Sequence, residues 1–271
     1  MSDSDVPPGI DTSRMHPARR YDYLLGGKDN FEADRANAEM LTRAFPAARV
    51  AAMENRKFLR RAVSTLAREA GIRQFLDIGA GLPTSPNVHE VAQDIAPESR
   101  VVYVDNDPMV LAYARALLTG SEAGATAYVD ADLRDPDKIL NGQELWGTLD
   151  RSRPVALLLV AIMHFITDDM NPYGIVRRYV EAMPPGSYLV MSNGTLDALP
   201  PEKADALRAA FARSGEPAAP RTRAEFARFF DGLDLLDPGI VAAPDWRPDP
   251  GDDDRPGLAD AAVHTAVARI P

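Results

Sequence analysis

Cysteine is absent from the 271 residues, which excludes a disulfide framework, a thiolate nucleophile and any cysteine-ligated metal. Histidine is scarce, with four residues. His16 and His89 stand at no spacing that suits a ligand set, so no metal site is expected. No stretch approaches the roughly 18 to 20 consecutive apolar residues that a membrane-spanning helix requires. The Met1 to Asp11 segment is acidic and polar, without an apolar core of the signal type, and the expectation is a cytoplasmic protein with no membrane partner. Positive charge is in deficit as well: 30 lysines and arginines face 40 acidic residues, for a formal net charge of -10. Nucleic acid is therefore not an expected partner, because phosphate neutralisation needs a basic face.

What is present suits a globular chain. Hydrophobic residues make up 45% and charged residues 26%, a balance that supports a packed core, and the length fits one large α/β domain with an added segment. The apolar spacing alternates between two periods. Leu59, Ala62, Val63 and Leu66 form a helical stripe within Met53 to Ala70, closed at Gly71. Phe75 to Ile78 is a short apolar strand that ends in Gly79-Ala80-Gly81, and Val88, Val91, Ala92 and Ile95 follow at helical spacing. The alternation repeats with a strand at Val101 to Val104, a helix opened by Asp107-Pro108 and lined by Val110, Leu111, Ala114, Leu117 and Leu118, and a third strand at Ala125 to Val129.

A continuous apolar run from Val155 to Ala161 predicts a strand covered on both faces, followed by a helical stripe at Val176, Tyr179, Val180 and Met183 and a fifth strand at Tyr188 to Met191. Thr222 and Glu225 have capping-box spacing. Leu233 to Val241, interrupted by Pro238-Gly239, and Ala262 to Ile270 predict a terminal strand pair joined by a loop rich in Asp and Pro. The sum is a mostly parallel, doubly wound sheet with helices on both faces. Residues 1–52 stand outside this alternation. The run from Tyr21 to Asn30 mixes aromatic, glycine and polar residues and predicts a flexible flap, while Phe31 to Phe45 returns to helical spacing. Two regions are expected on this basis, 1–52 as flap and helical extension and 53–271 as the main domain.

In a doubly wound sheet, ligands sit beyond the carboxyl ends of the strands. Gly79, Ala80 and Gly81 form a turn that lets a ligand approach the backbone. Asp77 stands at that strand's end, either as an acceptor for a ligand ammonium or as a structural acceptor that ties the turn. Asp105 lies twenty-four residues past Gly81, where a carboxylate can accept from both ribose hydroxyls; with Asn106 and Asp107 it can instead compete to cap the next helix. Asp132 follows the third strand, placed to accept from an adenine amino group while Leu133 packs on the ring; read alone, the same residues make a turn.

A nicotinamide dehydrogenase shares these elements. Its full fingerprint needs a third glycine where this chain has Thr84, between Leu82-Pro83 and Pro86. S-adenosylmethionine has no pyrophosphate to seat there, and the missing glycine is no obstacle to it.

With those residues in place, the chain resembles the actinobacterial S-adenosylmethionine-dependent methyltransferase family long known as a domain of unknown function. The stretches that carry the resemblance are Arg20-Tyr21-Asp22-Tyr23-Leu24-Leu25-Gly26-Gly27-Lys28-Asp29-Asn30, the run from Phe75 to Thr84, and Val102-Tyr103-Val104-Asp105-Asn106-Asp107-Pro108. The resemblance implies a Rossmann-like class I methyltransferase fold, a seven-stranded sheet with an antiparallel last strand, and cofactor binding by Gly79, Gly81, Asp105 and Asp132. It says little about the acceptor, for which a small molecule is expected. The alternatives are a non-catalytic protein that binds S-adenosylmethionine or S-adenosylhomocysteine, and an NAD(P)-dependent oxidoreductase.

Four further positions complete the candidate site. His164, after the fourth strand, is the candidate general base because an imidazole titrates near neutrality; beside Met163 and Phe165 it can equally be a pocket wall. Tyr23, with Tyr21 and Lys28, can fold over the sulfonium or belong to a purely structural flap. Arg56 can pair with a methionine carboxylate through its planar fork, or join Lys57, Arg60 and Arg61 in a solvated face. Asn87 is expected to cap the helix behind the glycine turn.

Overall fold

The structure is a computed structural model that describes residues 10–117 and 120–271. Leu118 and residues 1–9 lie outside the described residues, as do the side chains of Ala114 and Leu117. The described residues open with three helices, α1 (Pro17–Leu25), α2 (Glu32–Ala44) and α3 (Ala48–Arg68), and then enter the alternation. Strand β1 (Gln74–Ile78) leads to α4 (Val88–Ile95), β2 (Arg100–Asp105) to α5 (Pro108–Leu117), and β3 (Ala125–Asp130) to α6 (Pro136–Leu140) and α7 (Gln143–Thr148). After β4 (Ala156–Leu159) come α8 (Pro172–Ala182), β5 (Tyr188–Gly194), α9 (Pro201–Ser214) and α10 (Arg223–Ala227). The chain closes with β6 (Asp234–Leu235), β7 (Val241–Ala242), α11 (Leu258–Ala261) and β8 (Val263–Arg269).

The strand order is β3-β2-β1-β4-β5-β8-β6, with β7 also on β8. The pairs from β3 to β5 are parallel, and β8 runs antiparallel to β5 through seven residue pairs, from Tyr188 opposite Arg269 to Gly194 opposite Val263. Eight strands fill seven positions: β6 and β7 lie in succession along the same edge of β8. Pro238 and Gly239 fall between them, and proline has no amide hydrogen to give a ladder.

Alternate strand residues feed the two faces, because successive side chains in a strand point opposite ways. Leu76, Ile78, Leu157, Leu159, Leu189 and Met191 pack on one face with Tyr179 of α8 and Phe226 of α10. Phe75, Ala156, Leu158 and Val190 pack on the other with Phe58, Ala62 and Leu66 of α3 and with Trp246. Every residue from Phe75 to Ile78 of β1 is buried, the apolar Phe75, Leu76 and Ile78 and the carboxylate of Asp77 alike. The order reverses between β1 and β4, and that switch point sets where a ligand can enter.

The N-terminal segment differs from its expected form. Pro17–Leu25 is a helix, capped by His16 and ended by Gly26 at φ 86, where a flexible flap is expected from sequence. Its charged residues turn inward because each finds a partner. Arg19 donates to the carbonyls of Asp11 and Arg14 and faces Asp34 at 3.4 Å, while Arg20 pairs with Glu216 and Asn37. Asp22 accepts from the amide of Asp29 at 2.9 Å and from Asn30 Nδ2 at 2.8 Å. The division expected between residues 52 and 53 falls inside α3, a continuous helix.

The glycine pair after α1 has a steric reason. A Cβ on Gly27 would lie 1.9 Å from Asp22 Oδ1 and 2.5 Å from Oδ2. Gly27→Ala is therefore expected to displace the buried carboxylate and strand the donors of Asp29 and Asn30, at a cost of about 1 to 3 kcal/mol. Urea unfolding checks this, and an unchanged midpoint would refute the packing account.

Candidate functional site

Gly79 and Gly81 adopt φ 75 and φ 67, a left-handed conformation in which an ordinary side chain strains against its own backbone. The reversal is fastened to β2. The amides of Gly79 and Ala80 both donate to the Val104 carbonyl, at 2.8 and 3.2 Å. The Gly81 amide donates to Asp105 Oδ2 at 2.8 Å, and the Asp107 amide to Asp105 Oδ1 at 2.9 Å. Each Asp105 oxygen holds one backbone donor and keeps a lone pair for another, as a ribose diol requires. Burial raises the pKa of this carboxyl, and the two amides oppose that rise. Asp107 meanwhile caps α5 through the Met109 amide at 2.8 Å.

Asp77 is buried, yet among the described residues no donor reaches its carboxylate. Val104, rather than Asp77, ties the glycine turn. Burial pushes the Asp77 carboxyl up to about 7, with Arg56 opposing and Asp105 adding to the shift. At the end of β3, Asp132 accepts from Arg134 Nε at 2.9 Å and from Asn106 Nδ2 at 3.2 Å. The Arg134 hydrogen bond is the main cause that holds its pKa low. Leu133 is buried beside it, and its carbonyl accepts from Tyr179 at 2.9 Å.

These groups line one cavity of about 490 Å³, within the usual size of small-molecule sites. Asp77, Gly79, Ala80, Gly81, Asp105, Asn106, Asp132, Leu133, Arg56 and His164 all contribute to its wall. Tyr23 does not, and neither does Lys28; Tyr21 and Leu24 face the cavity from α1 instead. Arg56 is half-buried and donates to the carbonyls of Thr84 and, at 2.8 Å, Pro86. It braces the loop after the glycine turn rather than joining a solvated face.

His164 sits in a tight turn, Met163–Phe165, beyond β4. Its ring lies 4.3 Å from that of Phe165, centre to centre, and its Nδ1 is buried without a partner. Burial, reinforced by the charges of Arg20 and Arg221, pushes the imidazole down to about 3. The near-neutral titration expected from sequence is not kept: the ring is uncharged at pH 7 and is a weak proton acceptor. His89 is a core residue whose amide and Nδ1 both meet the Tyr103 hydroxyl, at 2.9 and 2.8 Å. Asn87 opens α4 in a capping box with Glu90, its own amide donating to that carboxylate at 2.5 Å.

Sequence reasoning missed two parts of the site. Asn55 is buried on the wall, donates through Nδ2 to the Tyr21 hydroxyl at 3.0 Å and leaves Oδ1 without a partner. An amide between Ala52 and Leu59 on an apolar stripe was the available signal. The other is an apolar wall of the same cavity, to which α2 gives Leu41 and its C-terminal cap Phe45, α3 Ala48 and Ala51, and α9 Leu207 and Phe211.

An open, mostly parallel sheet with this order and an antiparallel β8 is the class I methyltransferase fold. The chain belongs to the S-adenosyl methyltransferase family, whose model matches residues 3–271. A DUF574 family protein from Streptomyces avermitilis MA-4680 is 50% identical, with 96% of this chain and 99% of that chain covered at a TM-score of 0.93. A candidate methyltransferase from Thermobifida fusca YX is 44% identical, with 97% and 98% covered at a TM-score of 0.87. Human N-acetylserotonin methyltransferase, solved with S-adenosylmethionine, shares the fold at 16% identity and a TM-score of 0.50, over 94% of this chain and 62% of that one. A comparison with curated proteins found no match.

The protein is an S-adenosylmethionine-dependent methyltransferase. Its residues fit that cofactor: a Cβ on Gly81 would meet nothing within 4 Å, which leaves the turn open toward the cavity, and the Asp77 carboxylate on the cavity wall has no donor among the described residues.

Proposed function

We propose that this enzyme methylates a small-molecule acceptor, held between the glycine turn and the apolar wall of α2, α3 and α9. The observation that carries the reading is the continuity of that wall with the acidic residues in a single cavity. In this reading Asp77 accepts from the cofactor's ammonium, Asp105 from its ribose and Asp132 from its adenine amino group, while Leu133 packs on the adenine. Arg56 and Asn55 complete the methionine end.

When bound, S-adenosylmethionine supplies a methyl carbon on a sulfonium, and the acceptor heteroatom bonds that carbon as the carbon–sulfur pair leaves with sulfur. The chain's own contribution is alignment, since positioning two reactants can supply much of the barrier lowering in a direct displacement. Neutral His164 orients the acceptor rather than storing its proton, which leaves the methylated heteroatom for bulk solvent as the product is released. The apolar wall keeps water from competing as a nucleophile. We place the reaction in the cytoplasm.

The test is incubation of the enzyme with methyl-labelled S-adenosylmethionine and a metabolite extract, a protein fraction or nucleic acid, each in turn. Label is expected in a product from the extract; incorporation confined to protein or nucleic acid would overturn the reading. A second measurement addresses the ribose. Asp105→Ala is expected to weaken S-adenosylhomocysteine binding by about 1.5 to 3 kcal/mol per lost charge-assisted hydrogen bond, read by calorimetry, and unchanged affinity would refute the assignment.

A further inference from the structure

The charges around the cavity are distributed unevenly. Besides His164, four cationic or basic side chains line it: His16, Arg20, Arg56 and Arg134. Each is engaged, His16 with Asp107 at 2.9 Å, Arg20 with Glu216 and Asn37, Arg56 with two loop carbonyls, and Arg134 with Asp132. On the apolar side the cation is Arg20, and its buried charge is matched by that of Glu216. An acceptor bearing phosphate, sulfate or carboxylate would bury its charge there without a counter-charge, which is costly in a low-dielectric chamber.

The polar atoms left over ask for the opposite chemistry. Besides Asp77, two cavity-lining residues carry a buried polar atom with no partner among the described residues, Asn55 at Oδ1, which the reading above gives to the methionine end, and His164 at Nδ1, which is left for the acceptor. The Asn55 amide is oriented by its neighbour: the Tyr21 hydroxyl donates to the Ala52 carbonyl at 3.0 Å and so receives Nδ2, which leaves Oδ1 as an acceptor. The His164 ring is uncharged and can take a hydrogen bond from a ligand. Three aromatic rings, those of Phe45, Phe165 and Phe211, line the same cavity with Pro217 and Pro220. Planar surfaces of this kind gain most from a planar ligand.

We propose that the methyl acceptor is an uncharged, ring-bearing molecule whose hydroxyl or neutral amino group donates a hydrogen bond to His164. This rests on the small-molecule reading above and deepens it by naming the acceptor's class. His164 is a positioning group for the nucleophile in this assignment, and Arg20 with Glu216 closes the chamber against anions.

The test uses matched pairs of neutral and anionic rings on the full chain, by calorimetry at pH 7 with S-adenosylhomocysteine present. The pairs are phenol and benzoate, 2-naphthol and 2-naphthoate, and 4-hydroxybiphenyl and biphenyl-4-carboxylate. At least one alcohol is expected to bind, about tenfold or more tightly than its carboxylate partner, the ratio set by one unpaired buried charge. His164→Leu is expected to abolish the preference for 2-naphthol over naphthalene, and His164→Asn, whose Oδ1 falls near the position of Nδ1, to restore it. Equal or tighter binding of the carboxylates, no binding of any alcohol, or a preference that survives His164→Leu would overturn the proposal. Failure of S-adenosylhomocysteine itself to bind would instead overturn the methyltransferase reading, so the two failures are separable.

Discussion

Gly79→Val is expected to abolish measurable S-adenosylhomocysteine binding and to lower stability by about 2 to 4 kcal/mol, the sum of a left-handed backbone forced on a β-branched residue and an overpacked contact. The first cost follows from φ 75. The second follows from Ile162, whose Cγ1, Cδ1 and Cβ lie 2.6, 2.8 and 3.0 Å from a Cβ built on Gly79. Ile162 stands beyond β4 and cannot yield without disturbing the turn that carries His164. Gly81→Ala separates fold from function. Its φ of 67 imposes a similar backbone strain, but no atom lies within 4 Å of the added Cβ. It should cost only about 1 to 2 kcal/mol of stability, while its methyl occupies cavity space next to the amide that holds Asp105. Thermal unfolding and calorimetry on the two variants decide the matter. A Gly79→Val protein that melts and binds like the parent would refute the steric account.

The glycine turn was legible because its signal is local. A strand, a left-handed reversal and a helix each leave a pattern within a few residues, and acidic residues recur near the ends of successive strands, Asp105 closing β2 and Asp132 following β3 by two residues. The edge of the sheet was legible for the same reason, with Pro238-Gly239 marking the break between β6 and β7. Helix α1 was not, because its stability depends on remote partners. Arg20 is buried because Asn37 and Glu216, 17 and 196 residues away, receive it. Stripes of charge read locally as solvated surface. The acceptor wall was hidden by a different ambiguity: Leu41, Phe45, Leu207 and Phe211 follow helical spacing whether they face a packed core or a cavity. Periodicity reports which side of a helix is apolar and is silent on whether anything fills the space beyond it. His164 shows the same limit for electrostatics, since its neutral state comes from burial and from Arg20 and Arg221, on other segments of the chain.

The affinity for S-adenosylhomocysteine is expected to rise with pH up to about 7 and then level off, with Asp77 as the cause. In the free protein, burial raises this carboxyl from 3.8 to about 7, so the folded chain holds the proton more tightly than the unfolded chain does. The resulting contribution to folding stability is complete below about 3.8 and is lost as pH rises through about 7;. A ligand ammonium reverses the preference, because it binds the ionised carboxylate and must displace the proton to do so. Below pH 7 the affinity should therefore fall by close to tenfold per unit, at about 1.4 kcal/mol each. Calorimetry between pH 5.5 and 8, repeated in buffers of different ionisation enthalpy, reads both the slope and the proton released on binding. Asp77→Asn should flatten the profile and weaken binding about 100-fold at pH 8, where the parent carboxylate is fully charged, as loss of a buried charge-assisted contact predicts. Asp105 is also raised by burial, but two backbone amides already oppose that shift, so its ionisation should persist in the Asp77→Asn profile at lower pH. A parent affinity that is flat across this range, or a slope that survives Asp77→Asn unchanged, would move the ammonium away from Asp77 and leave Asn55 Oδ1 as the acceptor to test next.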